Sequence, residues 1–180
     1  MPPPIPVELI PHSPKWAPTA ARETRRLQVA LGDAFLAVHH IGSTSIPGIV
    51  AKPIVDLIPE VTSLEVLDAA KDTIVALGYE WWGEYGMAGR RYWTMTDAAS
   101  GKRVVQLHCF ALGSTHIARH IAFRNYMRRH PDKAREYEAE KLKARDLNPD
   151  DSHAYSVAKS HWISAIEVEA LAEWKAARVP

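Results

Sequence analysis

The chain has 180 residues, 47% of them hydrophobic and 24% charged, and its 22 Lys and Arg nearly cancel 21 Asp and Glu to leave a formal charge of +1. A chain of this length buries about 70% of its unfolded surface, enough for one sizeable core, and its near-neutral balance excludes a histone-like binder of nucleic acid and an acidic disordered chain. A single cysteine, Cys109, excludes an intrachain disulfide or a multi-cysteine metal site, and with no signal-peptide pattern and no apolar run near ~18 residues, a soluble, cytoplasmic protein is expected.

Seven of the thirteen prolines lie at positions 2–18. Proline fixes φ and has no N–H to donate, so residues 1–18 read as an extended surface arm, and residues 19–180 as one domain. A helix is expected from Thr19, past Pro18, on the spacing of Trp16, Ala20, Thr24, Leu27 and Leu31, with Gly32 as its stop. Residues 35–41 read as a strand, and 54–58 as a second strand closed by Pro59. A capping box at 62–65 starts one helix with Leu64, Leu67, Ile74 and Leu77 inward, ending at Gly78. Residues 91–96 and 103–111 flank a turn and predict a hairpin.

After Gly113 only helix is expected. One helix carries Phe123, Tyr126 and Met127 up to Pro131, a second spans about 132–145, and a third covers about 152–174 with Tyr155, Trp162, Ile166 and Leu171 inward. The fold class is therefore α+β: a small mixed β-sheet with helices, and a helical C-terminal third. Residues 119–148, with nine basic and five acidic side chains, form the basic part of the chain.

The stretch richest in chemistry is His40-Ile41-Gly42-Ser43-Thr44-Ser45-Ile46-Pro47-Gly48, followed by Lys52-Pro53-Ile54-Val55-Asp56. A strand that runs into a Gly-Ser turn exposes backbone N–H groups beside hydroxyls, a concavity that suits phosphate. Most such loops are only turns, so the flanking residues decide. Asp56, inside an apolar strand, needs a partner, a metal or an opening to solvent. His108 shares a strand face with Gln106 and is placed to meet Asp56 as base, metal ligand or phosphate contact. His40 adjoins the turn, while His39 points the other way. Lys52, held extended by Pro53, either reaches a phosphate or sits in solvent.

Arg90 and Arg91 alternate faces, so at most one addresses the site, and Arg91 is favoured slightly. Arg124, Arg128 and Arg129 form either a solvated basic face or an anion-recognising one. Glu138 with Lys141, and Glu140 with Lys143, are the i,i+3 pairs of an exposed helix and receive no function. Tyr155 and Lys159 either close the pocket from the last helix or, in the case of Tyr155, begin that helix's core stripe. Cys109, on the face of Leu107, is expected to be an inert buried thiol.

These motifs resemble the GrpB-like family, and the likeness extends over about residues 10–170. It includes Ile10-Pro11-His12-Ser13-Pro14-Lys15-Trp16, Gly89-Arg90-Arg91-Tyr92, Leu107-His108-Cys109-Phe110 with Gly113-Ser114, Phe123 to Arg128 with His130-Pro131, and Tyr155 with Lys159. The resemblance implies a nucleotidyltransferase-like fold, in which a Gly-Ser at a strand end precedes two carboxylates, one residue apart, on the next strand. Gly42-Ser43 and Asp56 match, but the second carboxylate position holds Ile58. Ordinary two-metal phosphoryl transfer, which uses two or three carboxylates, is thereby put in doubt. A single Mg²⁺ shared between one carboxylate and substrate phosphates is still compatible.

The resemblance thus implies a Mg²⁺-dependent nucleotidyltransferase that uses a nucleoside triphosphate and a small-molecule acceptor. His40, Gly42, Ser43, Thr44, Lys52, Arg91 and Arg124 would hold the nucleotide, Asp56 the metal, and Asp56 with His108 would carry catalysis. Related domains fused to dephospho-CoA kinases point towards nucleotide or cofactor chemistry. The runner-up is a nucleotide- or phosphate-binding module without turnover, which Ile58 favours. Another nucleotide- or amino-acid-dependent ligation stays open, since fold does not fix reaction. Neither a nucleic-acid nor a membrane partner is expected, and the sequence names no protein partner.

Overall fold

The structure, a computed structural model, describes residues 2–177, so Met1 and positions 178–180 of the expected domain lie outside it. It is an α+β arrangement, as expected, around a five-stranded mixed sheet of order β1-β2-β5-β4-β3. The strands are β1 (Phe35–Ile41), β2 (Val55–Val61), β3 (Tyr79–Trp81), β4 (Arg91–Thr96) and β5 (Arg103–Ala111). The β2–β5 pair is parallel and the other three pairs are antiparallel. Pro59 does not close β2, which runs on to Val61. The parallel ladder skips Ile58 and Pro59, where the proline ring has no N–H to give. The short edge strand β3 was not legible, because three residues are too few for a period.

Helix α1 (Trp16–Leu31) starts three residues earlier than its spacing predicts. Pro18 sits in its first turn, where N–H groups need no partner within the helix. Two expected single helices are each broken in two. Residues 64–77 form α2 (Leu64–Ala69) and α3 (Lys71–Ala76), and the last helix divides into α6 (Ser152–Ala158) and α7 (Ser160–Ala176). Between them lie α4 (Thr115–Arg129) and α5 (Pro131–Leu147). Among the described residues there is no strand beyond β5, which agrees with the helical C-terminal third.

The sheet's alternation separates two environments. Val55, Leu57 and Val61 of β2, with Val105, Leu107 and Cys109 of β5 and Trp93 of β4, pack against α1, α2 and α3 in the main core. Full burial of each such large side chain stabilises the fold by roughly 1.5–3 kcal/mol. The one charged group here, Glu23, accepts hydrogen bonds from Tyr79 Oη (2.9 Å) and Arg26 (2.6 Å). Cys109 is buried, as expected, and that burial raises its thiol pKa well above the ordinary value.

On the opposite face, Ile41, Ile58 and Phe110 pack under Ile117 of α4. A further apolar cluster joins α4, α5 and α7 to Ile46 and Ile49 of the loop after β1. The arm is extended but not idle. Val7 N donates to Pro149 O (2.7 Å), Ser152 N to Ile5 O (3.1 Å), and Ile10 pairs with Ala51. Val7 is buried with Ala144 and Tyr155, so the arm straps α5 and α6 to the loop before β2.

Candidate functional site

On the α4 face of the sheet, the apolar packing stops short of one end of β2 and β5. There Asp56 is paired with Gln106, and His108 follows on the same side. The Asp56 Oδ1 lies 3.4 Å from His108 Nε2, which brings together the two residues expected to meet. Arg90 lies 3.3 Å from His108 Nδ1. A guanidinium can only donate, so Nδ1 accepts and Nε2 carries the proton towards Asp56. Arg90 is fixed by the Glu84 and Tyr85 carbonyls, 3.2 and 2.5 Å away, and lies against the stacked rings of Tyr85 and Tyr92.

The turn after β1 closes over Asp56. Gly42 has φ 67°, and a Cβ there would stand 2.6 Å from Asp56 Oδ2, so glycine is required both by conformation and by space. Ser43–Ser45 form a single 3-10 turn in which Ser45 N and Ile46 N donate to Gly42 O and Ser43 O. Those two amides are therefore used within the turn and are not part of a phosphate cradle. Ser43 donates to Tyr137 Oη (3.3 Å), and Thr44 pairs with His40 Nε2 at 2.9 Å.

Together these elements wall a cavity of about 250 Å³, lined by Gly42, Ser43, Thr44, Lys52, Asp56 and His108, with α6 and α7 on the far side. Asp56 is the only carboxylate in that lining, against Lys52 and Lys159. The two lysines stand 5.2 and 4.6 Å from the ring centre of the buried Tyr155. Lys141 lies behind them, donating to Val50 O and standing 5.3 Å from the Tyr137 ring centre. Burial and mutual repulsion push Lys52 down to about 8, and Lys141 to about 7. Burial alone takes Lys159 to about 8, with Asp56 opposing. Two lysines facing one carboxylate across the cavity make a lining that is short of negative charge.

Several expectations need correction. Arg91 does not reach the cavity. It pairs with Cys109, which places its side chain on the α2 face, where it makes a bidentate bond to Asp68 at 2.6 and 2.7 Å. Arg90 is the arginine on the site's side of the sheet, but it contacts His108 and does not itself line the cavity. His40 pairs with Leu57 and so faces away from Asp56's side of the sheet, while His39 shares Ile58's side and meets Glu60 at 3.2 Å. Burial and then the nearby arginines push His40 down to about 4 against the pull of Asp56, so it is a neutral brace for Thr44.

Arg124 and Arg128 act from behind the turn, donating to His40 O (3.0 Å) and Ser45 O (2.8 Å). They hold the turn and do not line the cavity. Lys141 is buried rather than exposed. Its signal was its place on the stripe Ala134, Tyr137, Lys141, Ala144, the buried residues of α5. His120, which also lines the cavity and accepts from Arg119 at 3.1 Å, has no mark in the sequence beyond its place in the basic segment 119–148.

Comparison with known proteins adds the following. A family described as GrpB protein matches residues 6–169. The chain is 40% identical over 172 residues to the UPF0157 protein YqkA of Bacillus subtilis, which covers 96% of this chain and 49% of that protein, so it spans about half the length of this relative. A dephospho-CoA kinase of Mycobacterium tuberculosis is 39% identical over 77 residues, 41% of this chain and 19% of the kinase. The crystal structure of the conserved protein GrpB from Enterococcus faecalis matches with a TM-score of 0.86 at 35% identity, over 93% of this chain and 99% of that one.

Proposed function

The chain belongs to the GrpB family, and we propose that its cavity binds a nucleoside triphosphate through the phosphates and transfers the nucleotidyl group to a small-molecule acceptor. The observation that carries this reading is the convergence of Lys52 and Lys159 on a cavity with a single carboxylate, under a Gly-Ser turn. Desolvated ammonium groups attract a polyanion far more strongly than exposed ones. A bound triphosphate would supply both buried lysines with the counter-charge that their burial denies them.

In the proposed step the acceptor hydroxyl oxygen bonds to the α-phosphorus as the bond to the bridging oxygen breaks and pyrophosphate leaves. The hydroxyl proton passes to Asp56, which His108 orients through its Nε2–H. Lys52 and Lys159 hold the phosphates and balance the charge on the leaving group. The donor set fits Mg²⁺ only as an ion shared between Asp56 and the ligand's own phosphates, since one carboxylate makes no dedicated site. When bound, such an ion would supply further neutralisation of phosphate charge.

One observation favours a second reading, nucleotide binding without turnover. Ile58, where a second carboxylate would stand, is fully buried against Ile41, Phe110 and Ile117. A thermal-shift screen of nucleotides with and without Mg²⁺ or Mn²⁺, followed by a pyrophosphate-release assay, separates the readings. A ligand at 100 times its Kd adds about 2.7 kcal/mol of stability. Stabilisation with pyrophosphate release supports transfer, and stabilisation without release supports the binding module. A chain unmoved by every nucleotide has neither function.

A further inference from the structure

A second cavity, of about 350 Å³, adjoins the first, and Lys52 and Ile54 line both. Its walls come from the arm at Ile5 and Pro6, from Pro53, from the turn between β4 and β5 at Gly101 and Lys102, and from Arg103 at the start of β5. Lys102 Nζ meets Glu8 Oε2 at 2.9 Å and ties that turn to the arm. The arm is itself anchored to α6 through Ile5 and Ser152. The cavity is thus walled by three separate segments, with the arm paired to Ala51 just before Lys52 and touching the turn through an exposed ion pair.

Its chemistry is distinct from that of the first cavity. Glu8 is the only acid in the lining, and Lys102 engages it. Arg103 Nε is buried with no hydrogen-bond partner. A buried donor without an acceptor is costly and rare, and a guanidinium is suited to carboxylate or phosphate. The remaining walls, from Ile5, Pro6, Pro53 and Ile54, are apolar.

We propose that this second cavity binds a small molecule carrying one oxyanion, a carboxylate or a phosphate, on an apolar body, with the oxyanion on Arg103 and the other end directed past Lys52 towards Asp56. Its role as the acceptor subsite rests on the nucleotidyl-transfer reading, whereas its existence as a binding site rests on Arg103 and the walls alone.

The test is to titrate the full chain with benzoate and, separately, with phenyl phosphate while following the arginine side-chain N–H resonances by NMR. The expected result is a saturable shift of the Arg103 Nε–H with at least one probe. Intermolecular NOEs should connect the probe ring to the Ile5 and Ile54 methyls, and binding should weaken tenfold or more in Arg103→Gln. The tighter of the two probes identifies the oxyanion. No saturable shift at Arg103 with either probe, or NOEs only to Phe123 and Ile163 of the first cavity, would overturn the proposal. The NOEs are read on the unaltered protein, so the test holds even where Arg103→Gln does not fold. Nucleotides that fail to bind the first cavity, with the Arg103 shift still present, would remove the acceptor role and keep the site.

Discussion

The two faces of β2 show how one strand serves two purposes. Val55, Leu57 and Val61 face α1 to α3 and are buried in a dry core, while Asp56, Ile58 and Glu60 face the other way. On that second face the strand changes character within three residues. Asp56 opens on a cavity with His108 and two lysines, whereas Ile58 is sealed under α4 with Phe110. Packing density sets the first face, and charge sets the open end of the second. The boundary between them runs between Asp56 and Ile58, at the point where the nucleotidyltransferase pattern would place its second carboxylate.

Substitutions on either side of this boundary should differ sharply. The largest effect is expected for Ile58→Asp, which buries a carboxylate without a partner and should cost about 4 kcal/mol or more, visible as loss of a cooperative melt or a steep fall in Tm. Leu57→Ala, one residue away on the dry face, should cost about 3 kcal/mol, roughly 6–12 °C in Tm by scanning calorimetry. Gly42→Ala forces a Cβ against the Asp56 carboxylate at a positive φ. It should cost about 1–3 kcal/mol and abolish any stabilisation by nucleotide. Asp56→Asn should change stability by less than about 1 kcal/mol, because Asp56 is partly open to the cavity, while eliminating pyrophosphate release. A Leu57→Ala chain as stable as Asp56→Asn would erase the distinction between the faces.

The smallest effect concerns pH. In the folded chain Lys52 and Lys159 lie at about 8 and Lys141 at about 7, against an ordinary 10.5. Between pH 8 and 9 the unfolded chain therefore binds more protons, and the stability of the free protein should rise with pH. Above about pH 9 the buried Cys109 and tyrosines, held above their ordinary values, pull the other way. Urea melts at half-unit intervals from pH 7 to 9 would show the trend, and a flat or falling midpoint would place the lysines in ordinary surroundings.

Much of this was legible in the sequence, for reasons that differ by element. Strands β1, β2, β4 and β5 announce themselves through β-branched and aromatic runs, and the Gly-Ser turn marks the end of β1. Asp56 and His108 could be paired because each lies within a strand whose neighbours alternate. The choice between Arg90 and Arg91 depended on hairpin register, and a one-residue slip exchanges the two faces. Register is set here by the pairing of Tyr92 with His108, which is a tertiary fact. Lys52 and Lys159 are each candidate pocket residues in the sequence, whereas Lys141, read as part of an exposed pair, is hidden there. Lys52, Lys141 and Lys159 lie far apart in the chain, and only the docking of α5 and α6 against the loop before β2 brings them together. The arm was read as surface because proline dominates it, yet Val7 and Ile5 anchor it to α5 and α6.

The central claim, that Lys52 and Lys159 recognise a polyphosphate, is tested most directly by calorimetric titration of ATP and of pyrophosphate at pH 7.5 and 9.5, with the unaltered chain and with Lys159→Met. Binding that holds both lysines protonated should weaken at least tenfold between the two pH values. Lys159→Met should lose tenfold or more at pH 7.5 and show a shallower pH dependence. Affinity that is unchanged at pH 9.5, and equal in Lys159→Met, would contradict the account.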